Sequence, residues 1–357
     1  MRRNAPVQMF SAVALMIVAV LALCAPVAAA EEREMTPEEA EYIAEIRERI
    51  EERGLHWEAG PTSISKLPPE ERRALLGNEM PPHVQAIFDT LRPEPGVEER
   101  TYRSSFDWRD YDGVTPADDQ LDCGSCWAFA ACGATEAHIR INEGVILDLS
   151  EQQSIDCNFA GSDCDGGWSG ETYKLHMDPG GVTEECYPYR AENGTSCRQN
   201  QCEKVAIIDG YTYVSSSVAS IKYAVETYGP VSTGMTFYDD LYGYSSGCYE
   251  PTGSPEGGHA VLIVGWDDAM CGGTGAWIVK NSWGKDWGEN GFFYIKYGTS
   301  GIGSGNYRPV NAHIPKERLV PDEYGTIAAA LAAAERGDIV RVAAGTYSES
   351  LDLPYYV

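Results

Sequence analysis

The sequence predicts an α+β chain. A long helical segment with apolar residues on more than one face, Trp127–Ile141, precedes three apolar runs of strand length: "HAVLIVGW" at 259–266, "AWIVKNSW" at 276–283 and "GFFYIKY" at 291–297. Helices first and antiparallel-type strands second belong to α+β architecture rather than to alternating βαβ units. At 357 residues the chain is long enough for two or three domains.

The elements follow in chain order. Arg2 and Arg3 precede an uncharged run that ends Ala28-Ala29-Ala30 before Glu31-Glu32. A basic start, an apolar centre and an A-x-A end are the parts of a secretory signal peptide, placed at 1–30. The segment "TPEEAEYIAEIRERIEER" (36–53) predicts a charged helix capped by Thr36, opened by Pro37 and stopped by Gly54. "LPPEERRALLG" (67–77) predicts a second, short helix. The stretch 78–100, with Pro81, Pro82, Pro93 and Pro95, reads as an extended linker. Gly144 ends the long buried helix, and Ser150 caps a short helix after it. "SVASIKYAVETYGP" (217–230) is an amphipathic helix closed by Gly229-Pro230.

Composition excludes some partners. The chain has 27 basic against 54 acidic side chains, a formal net charge of -27. Phosphate neutralisation needs clustered Lys and Arg, so nucleic acid is excluded as a partner. Eleven cysteines in an exported chain point to disulfides. Cys123-x-x-Cys126 is a single C-x-x-C with neither a second one nor a paired His at zinc spacing, so no metal and no cofactor is expected.

The chemistry concentrates in "CGSCWAFAACG" (123–133). Cys126 opens the buried helix, where free amides and the helix dipole favour a thiolate. This stretch alone does not decide whether Cys123 or Cys126 is the nucleophile. "CGSCW" matches the C-G-[SA]-C-[WY] signature of papain-like cysteine peptidases, whose His and Asn follow far downstream. His259 lies 133 residues on in "GGHAVLIVGW", and Asn281 lies 155 residues on in "VKNSWGKDWGENGFF". Gln120, "DWRDYDGVTPADDQ", "LSEQQSIDC" and "CDGGW" also match, so the resemblance spans about 105–300.

The resemblance implies a two-lobed fold, a helical left lobe and a β-barrel-like right lobe, over 103–316. It implies a cysteine endopeptidase in which Cys126 attacks the peptide carbonyl and His259 pairs with the thiolate, then protonates the leaving amine. Asn281 would orient His259, and Trp283 would shield that hydrogen bond. Gln120 and the Cys126 amide would stabilise the oxyanion. Gly166 and Gly167 would line the substrate cleft and pair with an extended protein or peptide substrate. It further implies disulfides Cys123–Cys164 and Cys157–Cys197. Proximity suggests Cys186–Cys202 and Cys248–Cys271, leaving Cys132 free on the buried helix.

Three positions depart from the family pattern. Leu121 stands where a glycine usually follows the glutamine, Gly258 stands where many relatives carry Asp or Asn, and no cysteine follows Tyr297. "TSISKLPPEERRALLG" (62–77) resembles the end of the family's inhibitory propeptide. Residues 31–102 are therefore expected to be a prosegment with a Pro-rich linker, an intramolecular inhibitor of an exported, secreted or surface-held zymogen. Residues 317–357 resemble the cap and first coil of a right-handed parallel β-helix, with attachment to a surface or polysaccharide as its expected role. Two other functions fit parts of the pattern: a transpeptidase on the same fold, and a non-catalytic adhesion protein whose working part is the β-helix.

Overall fold

In the computed structural model, residues 35–194 and 196–353 are described; the signal-peptide reading at 1–30 lies outside them. The N-terminal helix α1 (Pro37–Arg53) forms as the caps require. Thr36 accepts the Glu39 amide through its hydroxyl, and Gly54 takes the left-handed conformation that ends the helix. Ile43, Ile46 and Ile50, at helical spacing, bury one face. Strand β1 (Trp57–Ala59) and helix α2 (Pro69–Ala74) follow.

The expected linker holds a third helix, α3 (Pro82–Thr90). The proline pair opens this helix rather than preventing it, because proline at the first helical position lacks only an N–H that would be orphaned anyway. Val84 and Phe88, four residues apart, are buried, and Phe88 packs edge-on against Tyr213 and Tyr307 at ring-centroid distances of 5.1 and 5.2 Å. Burial of that stripe gives the helix the tertiary support that so short a segment lacks alone.

After β2 (Ser105–Asp107) comes the long helix α4 (Cys126–Glu143), ended by Gly144 at φ 72°. Helix α5 (Glu151–Cys157) is capped by Ser150, whose hydroxyl accepts the Gln153 amide at 3.0 Å. Helix α6 (Ser169–Met177) completes the helical layer against α4. Strand β3 (Gly210–Val214) and helix α7 (Val218–Thr227) precede β4 (Val231–Tyr238), β5 (Tyr244–Tyr249) and the long β6 (Pro255–Asp267). A single turn, α8 (Met270–Gly273), leads to β7 (Ala276–Lys280), β8 (Phe292–Lys296) and β9 (Asn306–Val310). Strand β4 is buried on both faces along most of its length, so it lacks the alternation that marks a strand in sequence.

The strands pair in the order β1-β5-β8-β7-β6-β4-β9-β3, with β2 also on β6. Among the described residues the two ends of this order do not meet. The barrel-like lobe that the family resemblance implied is thus an open sheet, with the N-terminal strand β1 on one end. The largest apolar cluster joins Trp266, Trp277, Trp287 and Phe293 of the sheet to Ile43 and Ile46 of α1. The buried face of α1 is therefore part of the main core.

Strand β10 (Glu317–Val320) pairs in parallel with β11 (Ile339–Val342) across the short helix α9 (Ile327–Ala333). This is one parallel pair, with no further coil among the described residues. Leu331 is buried, while Ile339 and Val342 stay exposed. The tail is tied to the body where the Arg336 carbonyl meets His313 Nε2 at 2.9 Å and Asp338 accepts the Lys316 amide at 2.7 Å. No described helix is long and apolar enough to cross a membrane.

Candidate active site

Cys126 sits at the first residue of α4 and is fully buried. The preceding Ser125 does not cap the helix; its hydroxyl bonds Tyr189 Oη at 2.7 Å instead. The first helical amides are thus left facing the sulfur. Cys123, three residues earlier, is bonded to Cys164, which leaves Cys126 and Cys132 as the two free thiols among the described residues. Cys157–Cys197, Cys186–Cys202 and Cys248–Cys271 are also bonded.

Strand β6 brings His259 to the same place: the Ala260 amide donates to Cys126 Sγ at 3.4 Å. Strand β7 ends just before Asn281, whose Oδ1 lies 2.8 Å from His259 Nε2. The Ser282 amide also donates to that oxygen, at 2.9 Å. A backbone N–H can only donate, so the shared atom is an oxygen and His259 Nε2 carries the proton. Nδ1 has no hydrogen-bond partner and is the ring nitrogen left for the sulfur.

Trp283 lies over the imidazole with ring centroids 5.0 Å apart, backed by Trp287 at 5.1 Å. Phe237 packs against both rings, 5.8 Å from the imidazole and 5.4 Å from Trp283. The histidine–asparagine contact is therefore dry, which strengthens it.

Gln120 is fully buried beside this group. Its Oε1 accepts the Ser282 hydroxyl at 2.6 Å, and its backbone amide donates to the Ser282 carbonyl at 2.9 Å. This fixes the NH₂ group, which donates to the Cys123 carbonyl at 2.6 Å and to the Leu75 carbonyl at 2.9 Å. Ser282 thus ties the imidazole's orienter to the amide donor; in sequence its only signal is its place after Asn281. Tyr189, whose hydroxyl donates to the Gln120 carbonyl at 2.8 Å, has no sequence signal at all. Behind the site, Thr115 bridges Glu136 of α4 and Lys280 of β7, each at 2.9 Å. That bridge ties the helix carrying the cysteine to the strand leading to the asparagine.

The cleft is filled by the chain's own residues 75–80. The Gly167 amide donates to the Gly77 carbonyl at 2.8 Å, and the Glu79 amide to the Gly167 carbonyl at 2.7 Å, a parallel pairing. On the other side the Asn78 amide donates to the Gly258 carbonyl at 3.1 Å. A Cβ at Gly77 would stand 1.8 Å from the Gly124 carbonyl oxygen, so no larger residue passes there. Gly166, at φ 149°, lies against Glu79 and the Gly77 carbonyl.

Covering the site has an electrostatic effect. Burial pushes the Cys126 thiol up to about 11, against the pull of the Ala260, Gly77 and Trp127 amides. Burial also pushes the His259 imidazole down to about 4, against its bond to Asn281. In this closed form burial disfavours the charged state of both groups, against the thiolate that the helix amides favour. The helix amides are present, and the loss of water outweighs them.

The comparisons with known proteins agree with this arrangement. The sequence profile of the papain family cysteine proteases matches residues 102–310. The chain is 36% identical over 211 residues to the viral cathepsin of Choristoneura fumiferana nuclear polyhedrosis virus, covering 58% of this chain and 64% of that one. The chain thus spans less than two thirds of that relative's length. It is 35% identical over 265 residues to digestive cysteine proteinase 1 of Homarus americanus, covering 72% of this chain and 79% of the relative. Among solved structures, a recombinant stem bromelain precursor superposes with a TM-score of 0.67 at 29% identity, over 76% of this chain and 89% of its own. Procathepsin L 3 from the larval midgut of Tenebrio molitor superposes with a TM-score of 0.63 at 29% identity, over 76% and 88%. With the profile matched across both the helical layer and the sheet, and a relative 35% identical matched over 79% of its length, the chain belongs to the papain family of cysteine proteases.

Proposed function

We propose that the chain is an exported cysteine endopeptidase held latent by residues 31–102. Cys126 Sγ attacks the peptide carbonyl while His259 holds the proton and delivers it to the leaving amine. Water then hydrolyses the thioester with His259 as base. Asn281 keeps the imidazole oriented, and Trp283 keeps water from that bond. The Gln120 side-chain amide and the Cys126 backbone amide receive the negative charge that grows on the carbonyl oxygen. Gly166 and Gly167 offer the backbone edge on which a protein or peptide substrate lies.

The observation that carries this reading is the buried Cys126–His259–Asn281 cluster with an extended peptide segment already seated against it. The Leu75 carbonyl on the Gln120 side-chain amide supports the assignment of that amide as a donor to a carbonyl oxygen. The precursor forms among the similar solved structures support a zymogen, and the leader at 1–30 supports export.

The test is turnover of a fluorogenic peptide before and after cleavage between Leu91 and Tyr102. The intact chain should be nearly inactive and the cleaved chain active. Cys126→Ser should abolish turnover, and Gln120→Ala should raise the barrier by about 2.7–4 kcal/mol. Full turnover by Cys126→Ser, or stoichiometric alkylation elsewhere, would overturn the assignment.

A further inference from the structure

Leu121 carries a conformational cost that the fold does not repay. Its backbone is left-handed, at φ 52°, and its side chain is exposed. Among the described non-glycine residues with positive φ, it is the one large aliphatic side chain; the others are Asp112, Ala191, Cys271, Asn290, Ser300 and Asn311. Asp and Asn visit this region readily, and leucine does not. The turn is imposed from outside. Asp119 Oδ1 accepts the Leu121 amide at 2.9 Å, the Ser282 carbonyl accepts the Gln120 amide at 2.9 Å, and the Tyr189 hydroxyl donates to the Gln120 carbonyl at 2.8 Å. Strain held this way, under a side chain that joins no core, points to function.

Position indicates which function. Leu121 follows Gln120, whose side-chain amide holds the Leu75 carbonyl. That contact divides the segment that fills the cleft. After it, residues 77–79 run along Gly167. Before it, Ile64 and Leu67 join Leu75 as one wall of an open hollow of about 400 Å³, and Leu121 lines the same hollow with Asp119 and Asp122. The turn is also tied to the cover of the histidine: Asp119 pairs with Trp283, and the Gly284 amide donates to the Asp118 carbonyl at 2.9 Å. His259 hands its proton to the leaving amine, so the leaving half of a substrate lies on this side.

We infer that Leu121 is a specificity-determining residue, selecting an aliphatic side chain on the leaving half of a peptide substrate. The inference rests on the proposed peptidase reading and deepens it. In the closed form Ile64, Leu67 and Leu75 supply the aliphatic neighbours. Once they leave, Leu121 stays in place, because its turn is bonded to three neighbours. The glycine of the family pattern has no side chain to offer here, so the preference belongs to this chain. Asp119 and Asp122 border the same hollow and turn away an acidic side chain. The leaving half departs as the thioester forms, so Leu121 acts on acylation and not on hydrolysis of the thioester.

The test uses the full chain cleaved between Leu91 and Tyr102, with internally quenched peptides of one acyl half. The first three leaving-side residues are varied singly among Asp, Ala and Leu. At one position Leu should exceed Ala in kcat/KM by about tenfold, with Asp below both. Glycine takes the left-handed backbone without strain, so Leu121→Gly keeps the turn. In that variant the Leu-to-Ala ratio should fall to within about twofold of one, whereas Leu121→Met should keep most of it. Burst kinetics should put the whole contrast in acylation. A ratio near one at all three positions in the wild type, or a full ratio in Leu121→Gly, overturns the inference.

Equilibrium binding of the same uncut peptides to a Cys126→Ala form separates the two readings. Leu peptides that bind more tightly than Ala peptides, and lose that margin when Leu121→Gly is added, support the selectivity even if the wild type never hydrolyses them. The failure then belongs to the peptidase reading. Equal binding of Leu and Ala peptides at every position overturns the selectivity whatever the turnover.

Discussion

At the scale of single residues, Ser282 carries more of the site than its small side chain suggests. Its amide fixes Asn281 Oδ1, its hydroxyl fixes Gln120 Oε1, and its carbonyl holds the Gln120 backbone. Ser282→Ala removes one of these three bonds, so kcat should fall by about tenfold with KM little changed, the worth of one hydrogen bond of ~1.4 kcal/mol. Steady-state kinetics on the cleaved chain decide this, and a loss as large as that of Gln120→Ala would mean the amide is not held by Ser282. Leu121 shows the opposite economy. It is 53% exposed and sits at φ 52°, where a side chain costs about 1–2 kcal/mol. Leu121→Gly relieves that strain but frees the unfolded chain, so the net gain should be up to about 1 kcal/mol, read from denaturant unfolding. The glycine that the family pattern places at 121 thus has a conformational reason that this chain forgoes.

At the scale of elements, the prosegment combines a clamp with a desolvating cover. Gly77→Ala would drive a methyl group into the Gly124 carbonyl, an overpacking worth about 1–3 kcal/mol. The unprocessed chain should then leak activity by roughly tenfold or more, visible as peptide turnover before any cleavage, while the cleaved enzyme is unchanged. The thiol's titration changes along with the cover. Burial raises the Cys126 pKa, so uncovering the site lowers it. In the intact chain iodoacetamide labelling of Cys126 should climb with pH all the way towards about 11, where the thiol titrates. After cleavage it should already be fast near about pH 6, in the range of activated thiols. A shared pH profile would show that the prosegment blocks access without touching ionisation.

Much of this level was legible in the sequence, because caps and periodicity are local. Thr36, Gly54, Gly144 and Ser150 mark the ends that the structure has. The helix α3 was not legible, since its support comes from Tyr213 and Tyr307, more than a hundred residues away. The cysteine, histidine, asparagine and glutamine were legible as motifs. The prosegment's place on Gly167 and Gly258 was not, because that pairing is made by backbone atoms, which carry no residue identity.

At the scale of the whole molecule, the tail is attached through few contacts. Deleting 321–357 removes the Arg336 carbonyl from His313 and Gly337 from Ile207. Calorimetry should show a loss of a few degrees in Tm, with the cleaved chain's kcat unchanged, as expected for about 1 kcal/mol. A larger loss, or one of activity, would make the tail integral to the peptidase. The sheet carries a further consequence. Its end strand β1 pairs with β5, so release of the N-terminal segment on cleavage after Leu91 would take away a strand as well. The edge of β5 is then bared, with unpaired backbone groups able to recruit another chain. On the proposed reading, the latent form would therefore also be the one that keeps in solution, since the bared edge invites clumping.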